Sequence, residues 1–208
     1  MGVEGIRVDQ LSKRYRYEWI FRGVSLQIAA GEKVVITGSN GSGKSTLLKV
    51  LSGILPQTDG TLHYRFGGKD VDIEEVYRFL SFVAPYMELP EELSVRELIH
   101  FHFQFKSLLP GLTERDVLAI TYLESHGDKL VSELSSGMKQ RLKLALALFS
   151  DVPLVLLDEP TSNLDLQGVD WYLELIARYA NDRTVIVCSN DAREYAFCTK
   201  NIAISVYK

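Results

Sequence analysis

Hydrophobic and polar positions change rhythm twice along this chain. Residues 5–9, 23–28 and 61–66 read as strands of an N-terminal β region, antiparallel in arrangement. Lys33-Val34-Val35-Ile36-Thr37, Leu154-Val155-Leu156-Leu157 and Thr184-Val185-Ile186-Val187-Cys188 are short apolar runs, the pattern of strands buried on both faces. Residues 79–84 form another short run of strand type, and a last short strand starts at Ile202. In the middle of the chain the period becomes helical. Ser94 to Phe105 and Thr113 to Leu123 carry apolar residues at helical spacing, with Ser94 and Thr113 as N-caps and Glu97 and Asp116 three residues later. Further helices are expected over Thr46–Leu51, Ser136–Phe149 and Leu166–Tyr179. Strands alternating with helices predict an α/β fold: a mostly parallel sheet covered on both faces, with a helical subdomain inserted at about residues 86–150.

Composition narrows the partners. With 208 residues, 46% hydrophobic and 24% charged, the chain reads as one globular domain. Its net charge of −4 proposes no nucleic-acid surface, so no nucleic acid is expected as a partner. The segment Met1-Gly2-Val3-Glu4-Gly5-Ile6-Arg7 lacks the apolar core of a signal peptide. No apolar stretch approaches the ~20 residues that span a bilayer. The expected location is cytoplasmic, with membrane association only through a partner. Two cysteines, Cys188 and Cys198, make a metal site or disulfide framework improbable.

The chemistry is concentrated in Gly38-Ser39-Asn40-Gly41-Ser42-Gly43-Lys44-Ser45-Thr46, which has the G-x-x-x-x-G-K-S/T spacing. A strand leads into it and a helix follows. Glycines let several backbone N–H groups converge on one point, where the helix N-terminus adds partial positive charge. Lys44 then reaches the β- and γ-phosphates of a nucleotide, and the Ser45 hydroxyl is placed to ligand Mg²⁺. The spacing is that of the phosphate-binding loop, and a P-loop NTPase fold is the expectation.

Val155-Leu156-Leu157-Asp158-Glu159-Pro160 supplies a second part: an apolar strand ending in two carboxylates. In an open parallel sheet that end faces the ligand crevice. Asp158 fits the role of holding Mg²⁺ or its water shell, and Glu159 that of the base for an attacking water. Leu134-Ser135-Ser136-Gly137-Met138-Lys139-Gln140-Arg141 heads a predicted helix, with Ser135 as N-cap and exposed N–H groups that form an anion site.

Together these motifs resemble the ABC ATPase family, the nucleotide-binding subunits of ABC transporters, over almost the whole chain. The family signature L-S-G-G-Q stands here as Leu134-Ser135-Ser136-Gly137-Met138, and its dimer loop as Ser162-Asn163-Leu164-Asp165. The resemblance implies one ABC ATPase domain over residues 1–208, with ATP bound by Ser39 to Thr46, adenine stacked on Tyr15 (Tyr17 being the alternative), and Ser135, Ser136, Gly137 and Asp165 acting at a dimer site. It also implies a separate transmembrane permease subunit, and a homodimer or a heterodimer with another ABC ATPase. The short length and the signature look most like the small haem-exporter-type subgroup.

Two positions depart from the family. Pro85 stands where the family has a glutamine after the strand entering the helical subdomain, and proline offers no side-chain hydrogen bond. Asn190 stands where the family has a histidine contacting the γ-phosphate; an amide donates a hydrogen bond but carries no positive charge. The expectation is an energy-coupling ATPase with slow basal turnover. The competing readings are a soluble ABC ATPase of a cytosolic machine and a regulatory ATP-binding module with little hydrolysis.

Overall fold

A computed structural model describes residues 4–208 of the chain; Met1-Gly2-Val3, the start of the segment read as lacking a leader, lie outside the described residues. The chain divides into two compact units.

The first unit comprises Met1–Phe82, Val152–Glu159 and Asp182–Lys208. Its N-terminal segment folds as the hairpin of β1 (Gly5–Tyr15) and β2 (Glu18–Ala29), both longer than their alternating patterns predict. The pattern breaks because the ladder does. Gln10 adopts a left-handed φ of 50°, and the β1–β2 register shifts between Val8 and Leu11. This bulge rephases the strand, so Leu11, Ser12 and Lys13 are all buried.

After β3 (Lys33–Thr37) and α1 (Lys44–Leu51), the strand β4 (Asp59–Phe66) pairs antiparallel with β1, and β5 (Lys69–Val71) pairs with β4. β5 is not readable from the sequence: two of its three residues are charged, and the turn at Gly67-Gly68, both at positive φ, creates it. The antiparallel sheet runs β2-β1-β4-β5.

The remaining strands are β6 (Leu80–Val83), β7 (Leu154–Asp158), β8 (Thr184–Cys188) and β9 (Lys200–Ala203). They join β3 in a sheet of order β6-β7-β8-β3-β9, with β7, β8, β3 and β9 paired parallel. β7 and β8 are buried at every position, which is why they read as unbroken apolar runs. One hydrophobic core takes Ile6 and Phe21 from the hairpin, Leu47 and Leu48 from α1, and Ile36 and Leu156 from the parallel sheet.

The second unit comprises Val83–Asp151 and Pro160–Asn181. α2 (Val95–Phe105) and α3 (Glu114–Ile120) each begin with a reciprocal capping box, Ser94 with Glu97 and Thr113 with Asp116. α4 (Ser136–Phe149) and α5 (Leu166–Tyr179) span the residues their patterns predict. They pack through Phe149 and Tyr179, whose ring centroids lie 4.9 Å apart, and Trp171 of α5 donates to the Ile120 carbonyl at 2.8 Å.

Tyr64 ties the phosphate-loop helix to the antiparallel sheet. It is fully buried, and its hydroxyl donates to the Leu51 carbonyl at the end of α1 at 2.7 Å. Tyr64→Phe leaves that buried acceptor unpaired and should lower stability by about 1–3 kcal/mol in urea unfolding. Burial raises the Tyr64 pKa far above its ordinary 10.0. The folded state therefore keeps the proton that the unfolded chain releases, and this contribution is present below pH 10 and lost as pH rises above it. The stability gap between parent and Tyr64→Phe should be constant at neutral pH and narrow above pH 10.

Candidate functional site

The parallel register fixes the frame of the site. Asp158 of β7 pairs with Cys188 of β8, and Ile36 of β3 pairs with Cys188 on its other side. The loop after β3 and the carboxylates ending β7 therefore emerge at the same carboxyl edge, one strand apart, where open α/β sheets place ligands.

A pocket of about 210 Å³ opens there, lined by residues 40–46 together with Ile20 and Glu159. The loop is curled tightly. Gly43 forms the N-cap of α1 at φ 103°, and a Cβ on it would stand 2.7 Å from Cγ2 of Ile20. The Lys44 ammonium is buried against the loop, donating to the Gly38 carbonyl at 2.6 Å and the Ser39 carbonyl at 3.2 Å. Ser39 itself is exposed and does not line the pocket, whereas Asn40, Gly41, Ser42, Ser45 and Thr46 do.

Asp158 is buried at 2% exposure, and Ser45 donates a hydrogen bond to its carboxylate. Burial pushes the Asp158 pKa above the ordinary carboxylate value, and the neighbouring Glu159 adds to this; the Ser45 bond, Lys49 and Lys44 oppose it. Its Oδ1 has no hydrogen-bond partner among the described residues. A buried, orphaned carboxylate oxygen beside a hydroxyl is a hard-oxygen pair, and it fits Mg²⁺, which takes few protein ligands alongside phosphate and water. Glu159 is exposed to the pocket, and its backbone is strained: φ is 45°, directly before Pro160. The Glu159 N–H is held by the Cys188 carbonyl at 2.9 Å, which fixes this turn of the chain.

Asn190 follows β8 and reaches the phosphate loop, donating from Nδ2 to Asn40 Oδ1 at 3.0 Å. Cys188 lies beneath the loop, its Sγ 3.5 Å from the Lys44 carbonyl, and complete burial pushes its thiol up. Cys198 is likewise raised by burial, to about 12, so neither cysteine is a ready thiolate. Tyr15 ends β1, 47% exposed, and lies outside the lining of this pocket; Tyr17 in the hairpin turn is 94% exposed.

The second unit carries a pocket of its own, about 310 Å³, at the start of α4. Ser135, Gly137, Met138 and Arg141 line it from one side, and Asn163, Leu164 and Asp165 from the other. Ser135 caps α4, accepting from the Met138 N–H at 3.3 Å, and Asp165 caps α5, accepting from the Gly168 N–H at 2.7 Å. A Cβ on Gly137 would come within 3.2 Å of the Asn163 carbonyl, so the two loops meet closely. Ser136 is exposed and outside this lining. Pro85 sits on an exposed turn after β6, closed by the Met87 N–H donating to the Ala84 carbonyl at 3.1 Å.

Three participants escape a reading of the sequence. Ile20 forms an apolar wall of the first pocket, and only the hairpin bulges bring it there. The Asn40–Asn190 bond joins residues 150 positions apart. The Arg141 guanidinium is stacked on Tyr122 at 5.2 Å and Trp171 at 5.0 Å, a clamp supplied by the turn after α3 and by α5.

Comparison with known proteins agrees with this geometry. The family model described as ABC transporter matches residues 21–162. The cytochrome c biogenesis ATP-binding export protein CcmA of Xanthomonas oryzae pv. oryzae is 36% identical over 166 residues, covering 78% of this chain and 75% of that protein. The phospholipid-transporting ATPase ABCA3 of Mus musculus is 30% identical over 97% of this chain, which spans only 12% of that protein. Among solved structures, an ATP-binding cassette in a dimeric post-hydrolysis state bound to ADP and Pi superposes with a TM-score of 0.82 at 24% identity, covering 96% of this chain and 95% of its own. A putative ABC transporter ATP-binding protein from Pyrococcus furiosus gives 0.80 at 24% identity, covering 99% and 100%. The chain belongs to the ABC transporter family, as an ATP-binding subunit that hydrolyses ATP.

Proposed function

We propose that the chain is a single ABC ATPase domain that couples ATP hydrolysis to transport through a separate transmembrane permease. The observation that carries this is the constellation of one pocket: phosphate loop, buried Asp158 bonded to Ser45, and Glu159 at its rim. Lys44 neutralises the β- and γ-phosphates, and the N–H groups of residues 41–46 cradle them. Ser45 and Asp158 would hold Mg²⁺, which when bound spreads the charge developing between the β- and γ-phosphates. Glu159 accepts a proton from the water attacking the γ-phosphorus as the bond to the bridging oxygen breaks. Tyr15 provides the adenine platform.

Among the described residues no helix is long and apolar enough to cross a membrane. The reading places the chain on the cytoplasmic face, held there by the permease. The likeness to CcmA supports the haem-exporter-type subgroup and an exporting direction. The functional state is a dimer in which Ser135 and Gly137 of one copy cap the γ-phosphate held by Lys44 of a second ATPase subunit. The dimeric form of a structural neighbour supports this arrangement.

Glu159→Gln should keep ATP affinity but stop turnover, because an amide of the same shape accepts no proton. Calorimetry and a phosphate-release assay read both quantities; turnover equal to the parent removes Glu159 as the base.

Pro85 and Asn190 are proposed to keep basal hydrolysis low. Asn190→His should raise turnover on the order of tenfold with little change in ATP affinity, since the restored contact acts mainly in the transition state. Pro85→Gln added to it should contribute a smaller share. Turnover that stays flat in both, with each variant folded by circular dichroism, means the site is adapted around these residues and slow hydrolysis has another cause.

A further inference from the structure

Tyr15 does not stand alone at the end of its strand. Lys13, two residues earlier on the same face of β1, places its ammonium over the Tyr15 ring, 5.2 Å from the centroid. The Lys13 side chain is almost wholly enclosed, at 7% exposure, and Nζ donates to the Pro56 carbonyl at 2.6 Å. Pro56 lies in the segment that leaves α1, the helix that begins in the phosphate loop. Two further bonds tie that segment to the same strand: the Thr58 N–H to the Ser12 carbonyl at 2.8 Å, and the Arg14 N–H to Thr58 Oγ1 at 3.0 Å. Across the hairpin Lys13 faces Phe21, and the Phe21 ring comes within 3.8 Å of where a Cβ on Gly43 would stand. Lys13 is thus linked to the phosphate loop through its cross-strand partner Phe21.

We infer that Lys13 is a positioning residue for the base subsite: its enclosed ammonium holds one face of Tyr15 and leaves the other for the adenine. The inference rests on the reading of Tyr15 as the base platform. A cation fixed over one face of an aromatic ring draws π-electron density toward itself. The opposite face is then less electron-rich and stacks better on a purine. A lysine free in solvent would not stay in place, whereas the Pro56 carbonyl anchors this one.

The test separates charge from hydrogen bonding and base from phosphate. Dissociation constants are measured by calorimetry for ATP and for inorganic tripolyphosphate, on the parent, Lys13→Gln, Lys13→Arg, Tyr15→Ala and Lys13→Gln/Tyr15→Ala. Glutamine keeps a donor for Pro56 but removes the charge; arginine keeps the charge. Lys13→Gln should weaken ATP binding about three- to tenfold, leave tripolyphosphate binding unchanged, and add nothing in the Tyr15→Ala background. Lys13→Arg should stay close to the parent, and Tyr15→Ala should lose on the order of tenfold or more for ATP alone. If Tyr15→Ala weakens ATP binding but Lys13→Gln does not, the role of Lys13 is refuted and the platform stands. If Lys13→Gln weakens tripolyphosphate equally, Lys13 acts through the phosphate loop or the fold, and the inference fails. If Tyr15→Ala binds ATP like the parent, the base stacks elsewhere, and the platform and the role of Lys13 fall together.

Discussion

The site depends on the close approach of the Ile20 side chain to the backbone of Gly43. A Cβ there would stand 2.7 Å from Ile20 Cγ2 and 3.5 Å from the Ile20 carbonyl, and φ is 103°, a conformation L-residues avoid. The missing side chain lets the β1–β2 hairpin press directly on the phosphate loop. Gly38 does the same at the other end of the loop, where a Cβ would meet Ile204 Cγ2 at 2.6 Å. The loop is thus shaped by apolar contacts from the hairpin on one side and from the end of the chain on the other. Its curl, and the convergence of its N–H groups, follow from packing as much as from the glycines themselves.

Electrostatics then divides the labour between adjacent residues of one strand end. Asp158 is the last residue of a wholly buried strand, and its charge is costly there unless a cation shares it. Glu159, one residue on, is turned into the pocket by a left-handed backbone that the Cys188 carbonyl holds in place. A buried acid suited to a metal and an exposed acid suited to a proton are thereby produced by one change of direction. The strain at Glu159, before proline, is of the kind found where geometry serves chemistry.

Much of this was legible in the sequence because the informative segments are local. The phosphate loop, the buried strands β3, β7 and β8 and the capped helices α2, α4 and α5 each carry their signal within a few consecutive residues. The N-terminal strands were read too short, since the bulge at Gln10 and the shifts near Lys13 rephase the pattern and bury a lysine that alternation would not bury. β5 exists through its turn rather than its residues. The polar bond between Asn40 and Asn190, the wall at Ile20 and the clamp on Arg141 join distant segments, and no local pattern encodes them.

The contact of Gly43 with Ile20 shapes the phosphate loop for nucleotide. The most direct measurement is ATP binding by Gly43→Ala, by titration calorimetry on protein whose circular dichroism matches the parent. An added methyl group forces either φ or Ile20 to move, so Gly43→Ala should fold and lose most of its ATP affinity. ATP bound as tightly as by the parent would contradict it.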